Sequence, residues 1–293
     1  MPPELNLDRR RATQAVIDDA GLEELLAIFA VIDDETRAIV LATLGQRVTA
    51  RERDIAINTL RQTLASHNDE LNNWIVGAMS LAYIRGANQM LDDINELGIR
   101  PTRRGVFTGK LTIELIRGGG DFQRHRDSIN AFVSDTHSEI AKGLTGIVDT
   151  SRRQFNDALK RQISGAIDRG NITGSDIRTI ANEVRDTIGR QGYSSLIYRN
   201  GANWTIPNYS KMIARTNTMK AYTEATINRA IEYGVDLVQV SSHPHDPDIC
   251  SQYDGRIYSL SGTSDKYPLL PAKTPFHPNC KHSLTPRPYA EVA

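Results

Sequence analysis

Both cysteines and four of the seven histidines of this 293-residue chain fall between His243 and His282, closing in the run Phe276-His277-Pro278-Asn279-Cys280-Lys281-His282. Nine such residues spread evenly along the chain would place about one in that window, so the clustering marks a site. Thiolate sulfur and imidazole nitrogen are the donors that zinc takes in a tetrahedron, and His277-x-x-Cys280-x-His282 offers three of them within six residues. Cys250 supplies a fourth, and His243 is a fifth candidate. The loop Ser261 to Phe276 is Pro-rich and carries little apolar mass, so a staple is what would order it. A zinc ion would serve, because in small zinc-dependent modules its apparent binding free energy is about 10–16 kcal/mol, large beside the marginal stability of a domain.

Two other uses of the same residues stand against that reading. Cys250 and Cys280 can be small buried hydrophobes with hydrogen-bonded histidines around them, since the set lacks a Cys-x-x-Cys and the gap from 250 to 277 is long. A catalytic metal is the other. His243-Pro244-His245-Asp246-Pro247-Asp248 puts Pro247 where a His-x-His-x-Asp hydrolase site would need its carboxylate, and no His-Glu-x-x-His is present. A catalytic zinc also keeps an open position, which four protein ligands would close. The chain therefore reads as a non-enzyme, with a metal-dependent nuclease as the alternative.

The elements that must carry this cluster are mostly helical. Leu22, Leu25, Leu26, Phe29 and Ala30 share one face of a helix that continues past Asp33 and Asp34. A second long helix is expected to open at Ser66, which with Asp69 makes a capping-box pattern, and to stop at Gly98. Its inward face runs through Leu71, Trp74, Ile75, Ala78, Ala82, Met90, Leu91 and Ile94. Glycines and Pro101 then bracket an alternating stretch, Lys110 to Ile116, that reads as a strand or hairpin arm. Between Ile99 and Arg126 seven basic residues face two acidic ones. Arg100, Arg103, Arg104, Lys110 and Arg117 are the candidates for a phosphate or partner contact, although no aromatic platform is interleaved with them.

From Phe122 to Ile167 the apolar and small positions step mostly by four, which gives one very long helix or two in succession, with Gly143 and Gly146 as the expected kinks. Ser175 caps a short helix carrying Ile177, Ile180, Ala181 and Val184 inward. Pro207 opens a helix to Tyr233, ended by Gly234, with Tyr209, Met212, Ile213, Met219, Ile227, Ala230 and Ile231 as its core positions. Short strands follow at Val235 to Ser242 and at Arg256 to Leu260, the second fed by the Asp254-Gly255 turn. The fold class expected is mainly α: an elongated helical N-terminal scaffold with a small α+β C-terminal knuckle module. The parts are residues 1–98, a basic Gly/Pro-rich arm at 99–121, a long-helix region at 122–190, a linker at 191–206 and the module at 207–293.

Lysine plus arginine balance aspartate plus glutamate at 35 each, so no global field draws the chain to nucleic acid, and any DNA contact must be local. Two cysteines beside histidines do not make a secreted disulfide framework. The N-terminal residues lack a signal-peptide h-region, and the longest apolar run, Leu25 to Ile32, is far below the roughly 20 residues that span a bilayer. A protein made in a reducing cytoplasm is expected.

The run Met212-Ile213-Ala214-Arg215-Thr216, the stretch Gly234 to His243, Cys250, Asp254 to Ser259, Tyr267-Pro268 and Phe276 to His282 together resemble the C-terminal signature of tailed-phage minor capsid proteins. These are the minor capsid protein 2 and MuF-like head morphogenesis families. The resemblance covers about the last ninety residues, and Asn200-Gly201-x-x-Trp204 upstream is similar too. It implies a minor structural protein of the phage head, present in several copies and assembled in the host cytoplasm. Its partners would be the portal protein, the major capsid protein and packaged DNA. A toxin-like effector carried in the head joins the nuclease as the alternative. The signature positions are Arg215, His243, Cys250, Gly255, His277, Cys280 and His282, with Arg215 expected to meet the C-terminal loop. Many relatives carry Cys-x-x-Cys where this chain has Cys250 to Tyr253, and end in Asn-Cys-Arg-Cys where it has Asn279 to His282. His282 preserves a ligand; Tyr253 does not, and His243 or His277 would have to fill that place.

Overall fold

Helix-forming periodicity covers most of the chain, and the computed structural model, which describes residues 21–169, 179, 182, 194–197, 203–242, 249–271 and 274–288, is mainly helical. In chain order the elements are α1 (Leu22–Leu44), α2 (Ala50–Ser66), α3 (Asn68–Glu96), α4 (Ile113–Arg117) and α5 (Gln123–Arg169). They are followed by β1 (Ser194–Ile197), β2 (Asn203–Thr205), α6 (Ile206–Tyr233), β3 (Leu237–Val240), β4 (Ile257–Ser259) and β5 (Leu284–Pro286). No helix among the described residues is long and apolar enough to cross a membrane. The chain divides into two compact units: Met1–Leu22, Trp74–Thr136 and Met212–Ala293 form one, Glu23–Asn73 and His137–Lys211 the other.

The second unit is built from α1, α2 and the later part of α5. Leu25, Phe29, Ile32, Val40 and Leu44 are buried on α1, which does continue past Asp33 and Asp34, whereas Ala30 lies on its exposed side. The helix cap expected at Ser66 is elsewhere. Ser66 ends α2 and its hydroxyl donates to Thr63 O at 2.7 Å. The working capping box is Thr49 with Glu52: Thr49 Oγ1 accepts from Glu52 N and Glu52 Oε2 accepts from Thr49 N at 2.7 Å. The α5 helix runs unbroken through Gly143 and Gly146. A β-carbon at Gly143 would stand 2.4 Å from the Tyr209 ring, whose hydroxyl donates to Glu139 O at 2.6 Å, so this glycine serves close approach instead of a kink. Inside the segment read as a linker, β1 and β2 pair antiparallel, Leu196 opposite Trp204 and Ile197 opposite Asn203. The helix expected after Ser175, with Ile177, Ile180, Ala181 and Val184, lies outside the described residues.

The first unit is organised around α6. From Met212 to Ala230 almost every side chain is buried, polar ones included: Thr216, Asn217, Thr218, Thr223, Thr226, Asn228 and Arg229. Buried polar groups need partners, and the neighbouring elements supply them. The α3 helix presents the predicted inward face, Leu71 to Ile94, all buried, and ends on Gly98 at φ +65 with Ile99 N donating to Ile94 O, a left-handed C-terminal cap. At Gly86 it comes so near α6 that a β-carbon would lie 2.1 Å from Tyr222 O. Ile231, expected inside, is 46% exposed at the helix end.

The 99–121 segment is neither strand nor hairpin. Thr112 Oγ1 accepts from Leu115 N and starts the single-turn α4. The segment is also docked. Asn88 clasps Leu111 through both its amide atoms, at 2.7 and 2.9 Å, and Thr102 N donates to Tyr233 O. Arg229, fully buried, donates to Gly109 O at 2.6 Å and to Glu232 Oε2 at 2.9 Å, between the Phe107 and Tyr233 rings. Glu232 Oε1 lies 2.7 Å from His125 Nε2, and Tyr83 bridges His125 Nδ1 to Asn228. Burial works against the Glu232 carboxylate, but His125 and Arg229 outweigh it and hold its pKa below the usual range, while burial pushes the Tyr83 hydroxyl up to about 12.

A three-stranded antiparallel sheet, order β4-β3-β5, completes this unit. Val238 stands opposite Tyr258 on one side and Pro286 on the other, and Val238, Val240, Tyr258 and Leu284 pack with Ile227 of α6. Strand β5 lacks the length and alternation that mark a strand in sequence.

Two outcomes are expected from this packing. Gly143→Ala lowers the thermal midpoint, with overpacking of the kind that costs about 1–3 kcal/mol, whereas Gly77→Ala, on the exposed side of α3 with nothing within 4 Å of the new methyl, raises it by roughly 0.5–1 kcal/mol of stability. Arg229→Ala leaves Gly109 O without its donor and Glu232 with His125 alone, and costs about 3–5 kcal/mol in chemical denaturation. It also exposes the 99–121 segment to trypsin, while Arg229→Met with Glu232→Gln restores part of the loss.

Candidate metal centre

Three chain segments bring the donors together. Strand β3 leads toward Cys250, which opens a single 3-10 turn, Ser251–Tyr253, with Tyr253 N donating to Cys250 O. Gly255, at φ +67, then turns the chain into β4. The third segment is the knuckle itself. Cys280 N donates to His277 O at 3.1 Å across Pro278 and Asn279, and Asn279 has φ +64. Proline at the second position and asparagine in the left-handed region at the third are the residues a type II turn requires. His282 follows just before β5.

One donor atom each from Cys250, Cys280 and His282, all buried, lie within 4.8 Å of one another, a group able to hold a metal ion. Cys280 Sγ is 3.3 Å from His282 Nδ1. His277, half-buried, directs Nε2 at Cys250 Sγ from 3.1 Å and keeps Nδ1 2.8 Å from Pro278 O. The outer nitrogen of His282, Nε2, bonds to Asp254 Oδ1. Burial works against the Cys280 thiolate, but the hydrogen bonds from His282 and from the backbone outweigh it and hold the thiol below its ordinary range. Burial likewise opposes the His282 cation, and Cys280 and Asp254 raise its pKa nonetheless. A sulfur that favours its anion beside an imidazole with a carboxylate behind it is the charge arrangement a divalent cation meets in a thiolate–histidine site.

The module is fastened to α6 and to its own sheet. Asn279 N donates to Thr216 Oγ1 and Thr274 Oγ1 shares a hydrogen bond with Thr223 Oγ1 at 2.8 Å. Asp236 receives Ser261 N and Ser259 Oγ, each at 2.7 Å. The Tyr253 ring stacks on Phe276, 4.0 Å between centroids and 17° between planes. Sequence reasoning took Asp254 as a turn residue and Tyr253 as a position that lacks a ligand, and missed that both support the site, standing four and three residues after Cys250.

The remaining candidates distribute differently. His243 lies outside the described residues. Arg215 is half-buried on α6, its Nε buried with no hydrogen-bond partner among the described residues, so the expected bond to the C-terminal loop is not formed there through that atom. Arg100, Arg103, Arg104, Lys110 and Arg117 are exposed on the docked 99–121 segment, and Lys110 pairs with Asp92 at 3.0 Å.

A "Structural protein" of Lactococcus phage LL-H is 26% identical over 105 residues, covering 32% of this chain and 28% of that protein. The chain thus spans under a third of the length of the curated relative it matches. No solved structure matches it. The family model for phage minor capsid protein 2 matches residues 109–289, which begin at the glycine held by Arg229 and run through the sheet and the Cys/His cluster, and the chain belongs to that family of phage structural proteins.

Proposed function

We propose that the chain is a non-enzymatic component of a tailed-phage head, associated with the portal vertex and acting in head morphogenesis and in DNA packaging or delivery. It is assembled in the host cytoplasm, ends in the virion head in several copies, and contacts the portal protein and the major capsid protein. Its C-terminal module is a knuckle closed by one structural zinc. The observation that carries this reading is the donor set: Cys250, Cys280 and His282 converge on one buried point, and with His277 against Cys250 four protein ligands would fill the coordination shell of zinc and leave no position for a substrate or an activated water. That favours a scaffold over the nuclease or toxin-like alternative. The exposed Arg100, Arg103, Arg104, Lys110 and Arg117 serve a local contact with packaged DNA or a partner, on a segment whose anchoring by Asn88 and Arg229 holds it in one place.

Two experiments test this. In purified particles the chain is expected in mature heads and in a co-purified complex with portal protein, and an Arg103→Glu, Arg104→Glu variant gives fewer DNA-filled heads; a chain absent from particles overturns the head assignment. By elemental mass spectrometry the purified chain is expected to carry one zinc, with Cys280→Ser losing it together with protease resistance of the last ninety residues. A metal-free, equally resistant wild-type chain overturns the zinc.

A further inference from the structure

We infer that His277 is the fourth zinc ligand, bound through Nε2, that His282 binds through Nδ1, and that Asp254 is the outer carboxylate that fixes His282. The inference rests on the reading of the knuckle as a zinc site and specifies its ligand set. Bond lengths of about 2.3 Å to sulfur and 2.0–2.1 Å to nitrogen place the donors of a tetrahedral zinc roughly 3.3–3.8 Å apart. The two edges observed, Cys250 Sγ to His277 Nε2 at 3.1 Å and Cys280 Sγ to His282 Nδ1 at 3.3 Å, are close to that spacing. Cys250, Cys280 and His282 already lie within 4.8 Å of one another, and His277, which stands against Cys250 outside that group, is the donor a bound ion would draw in.

The outer nitrogens are the second, independent observation. A histidine that ligates a metal gives its other ring N–H to a carboxylate, a carbonyl or water, and this bond selects the tautomer. Both histidines do so here: His282 Nε2 to Asp254 Oδ1 and His277 Nδ1 to Pro278 O. The two rings use opposite nitrogens toward the sulfurs, yet in each the nitrogen left over finds an oxygen. Chance hydrogen bonding between histidines and thiols does not require that agreement. The stacked Tyr253 and Phe276 rings fit the same scheme, because Phe276 is the residue before His277 and the stack fixes the chain from which that imidazole reaches Cys250. Tyr253, three residues after Cys250, is therefore a positioning residue on the ligand's support and not a ligand.

The test is X-ray absorption on the full-length, zinc-loaded chain, read with zinc stoichiometry and chelator competition. Two sulfurs and two imidazoles are expected in the wild type. His277→Ala reduces the imidazole shell to one, His277→Cys retains one zinc with three sulfurs, and Asp254→Asn keeps the stoichiometry while weakening affinity by about 10–100-fold. A wild-type site with a single imidazole, or one unchanged by His277→Ala, removes His277 from the shell; unaltered affinity in Asp254→Asn removes the carboxylate from its role. Each of these overturns the inference while leaving zinc itself in place, whereas absence of zinc from the wild type defeats the knuckle reading as well. None depends on whether the chain is found in particles.

Discussion

A helix buried on nearly every face is the constraint around which the first unit is arranged. From Met212 to Ala230, α6 is surrounded, yet its sequence carries threonines, asparagines and an arginine on the sides that an amphipathic helix would give to water. Removing those groups from water without partners costs a few kcal/mol each, so each neighbour of α6 brings a specific polar atom and not merely apolar bulk. Tyr83 and Ser128 answer Asn228, Gly109 O and Glu232 answer Arg229, Gly86 O and Tyr222 O answer Thr226, and Thr274 answers Thr223. Register follows from this: sliding α6 by one residue would unpair several buried groups at once. The docking of 99–121 and the seat of the knuckle loop are thus consequences of which polar residues α6 carries.

The C-terminal module faces the opposite difficulty, with too little to bury. Its apolar cluster consists of Ile227, Val238, Val240, Tyr258 and Leu284, with Tyr253, Leu260, Leu270 and Phe276 partly buried around it. Between β4 and β5 the chain is rich in Ser, Thr, Gly and Pro, residues that give turns and hydrogen bonds but little burial. Asp236 answers part of the need by capping Ser259 and Ser261. The donor cluster sits where the remaining need is greatest, at the junction of the turn after β3, the 277–280 turn and the first residue of β5. Strand β5 is three residues long and among the described strands pairs with β3 alone, so its place in the sheet depends on what holds His282 two residues before it.

Much of this was legible in the residues, and the parts that were not share a cause. The inward face of α3, the Gly98 and Gly234 stops, β3, β4 and the convergence of Cys250, Cys280 and His282 all follow from periodicity, glycine conformation or donor chemistry, which are local properties. The departures depend on partners distant in sequence. Gly143 reads as a kink until Tyr209 is seen against it, Lys110 to Ile116 alternates like a strand until Asn88 fixes Leu111 and Thr112 caps a turn, and Ser66 carries the same local signal as Thr49 but is already occupied as the end of α2. Arg229 gives no sign in the sequence that it is buried, because its partners, Gly109 O and Glu232, are a loop carbonyl 120 positions away and a neighbour that also meets His125.

The same contrast bears on how a metal site tolerates change. The proposed shell divides its donors between a turn that is nearly self-sufficient, His277 to Cys280, and residues placed by tertiary structure, Cys250 and Asp254. In the first, Pro278 and the left-handed Asn279 fix the spacing of two ligands locally. In the second, distance is set by the sheet, and position 253, which the resemblance makes a ligand in many relatives, is here an aromatic stacked on Phe276. In the proposed shell His277 reaches Cys250, so position 253 need not be a ligand and carries instead an aromatic ring stacked on the residue before His277. A shell of this kind would keep four ligands under a different Cys/His pattern, one for which a spacing rule built on Cys-x-x-Cys does not look.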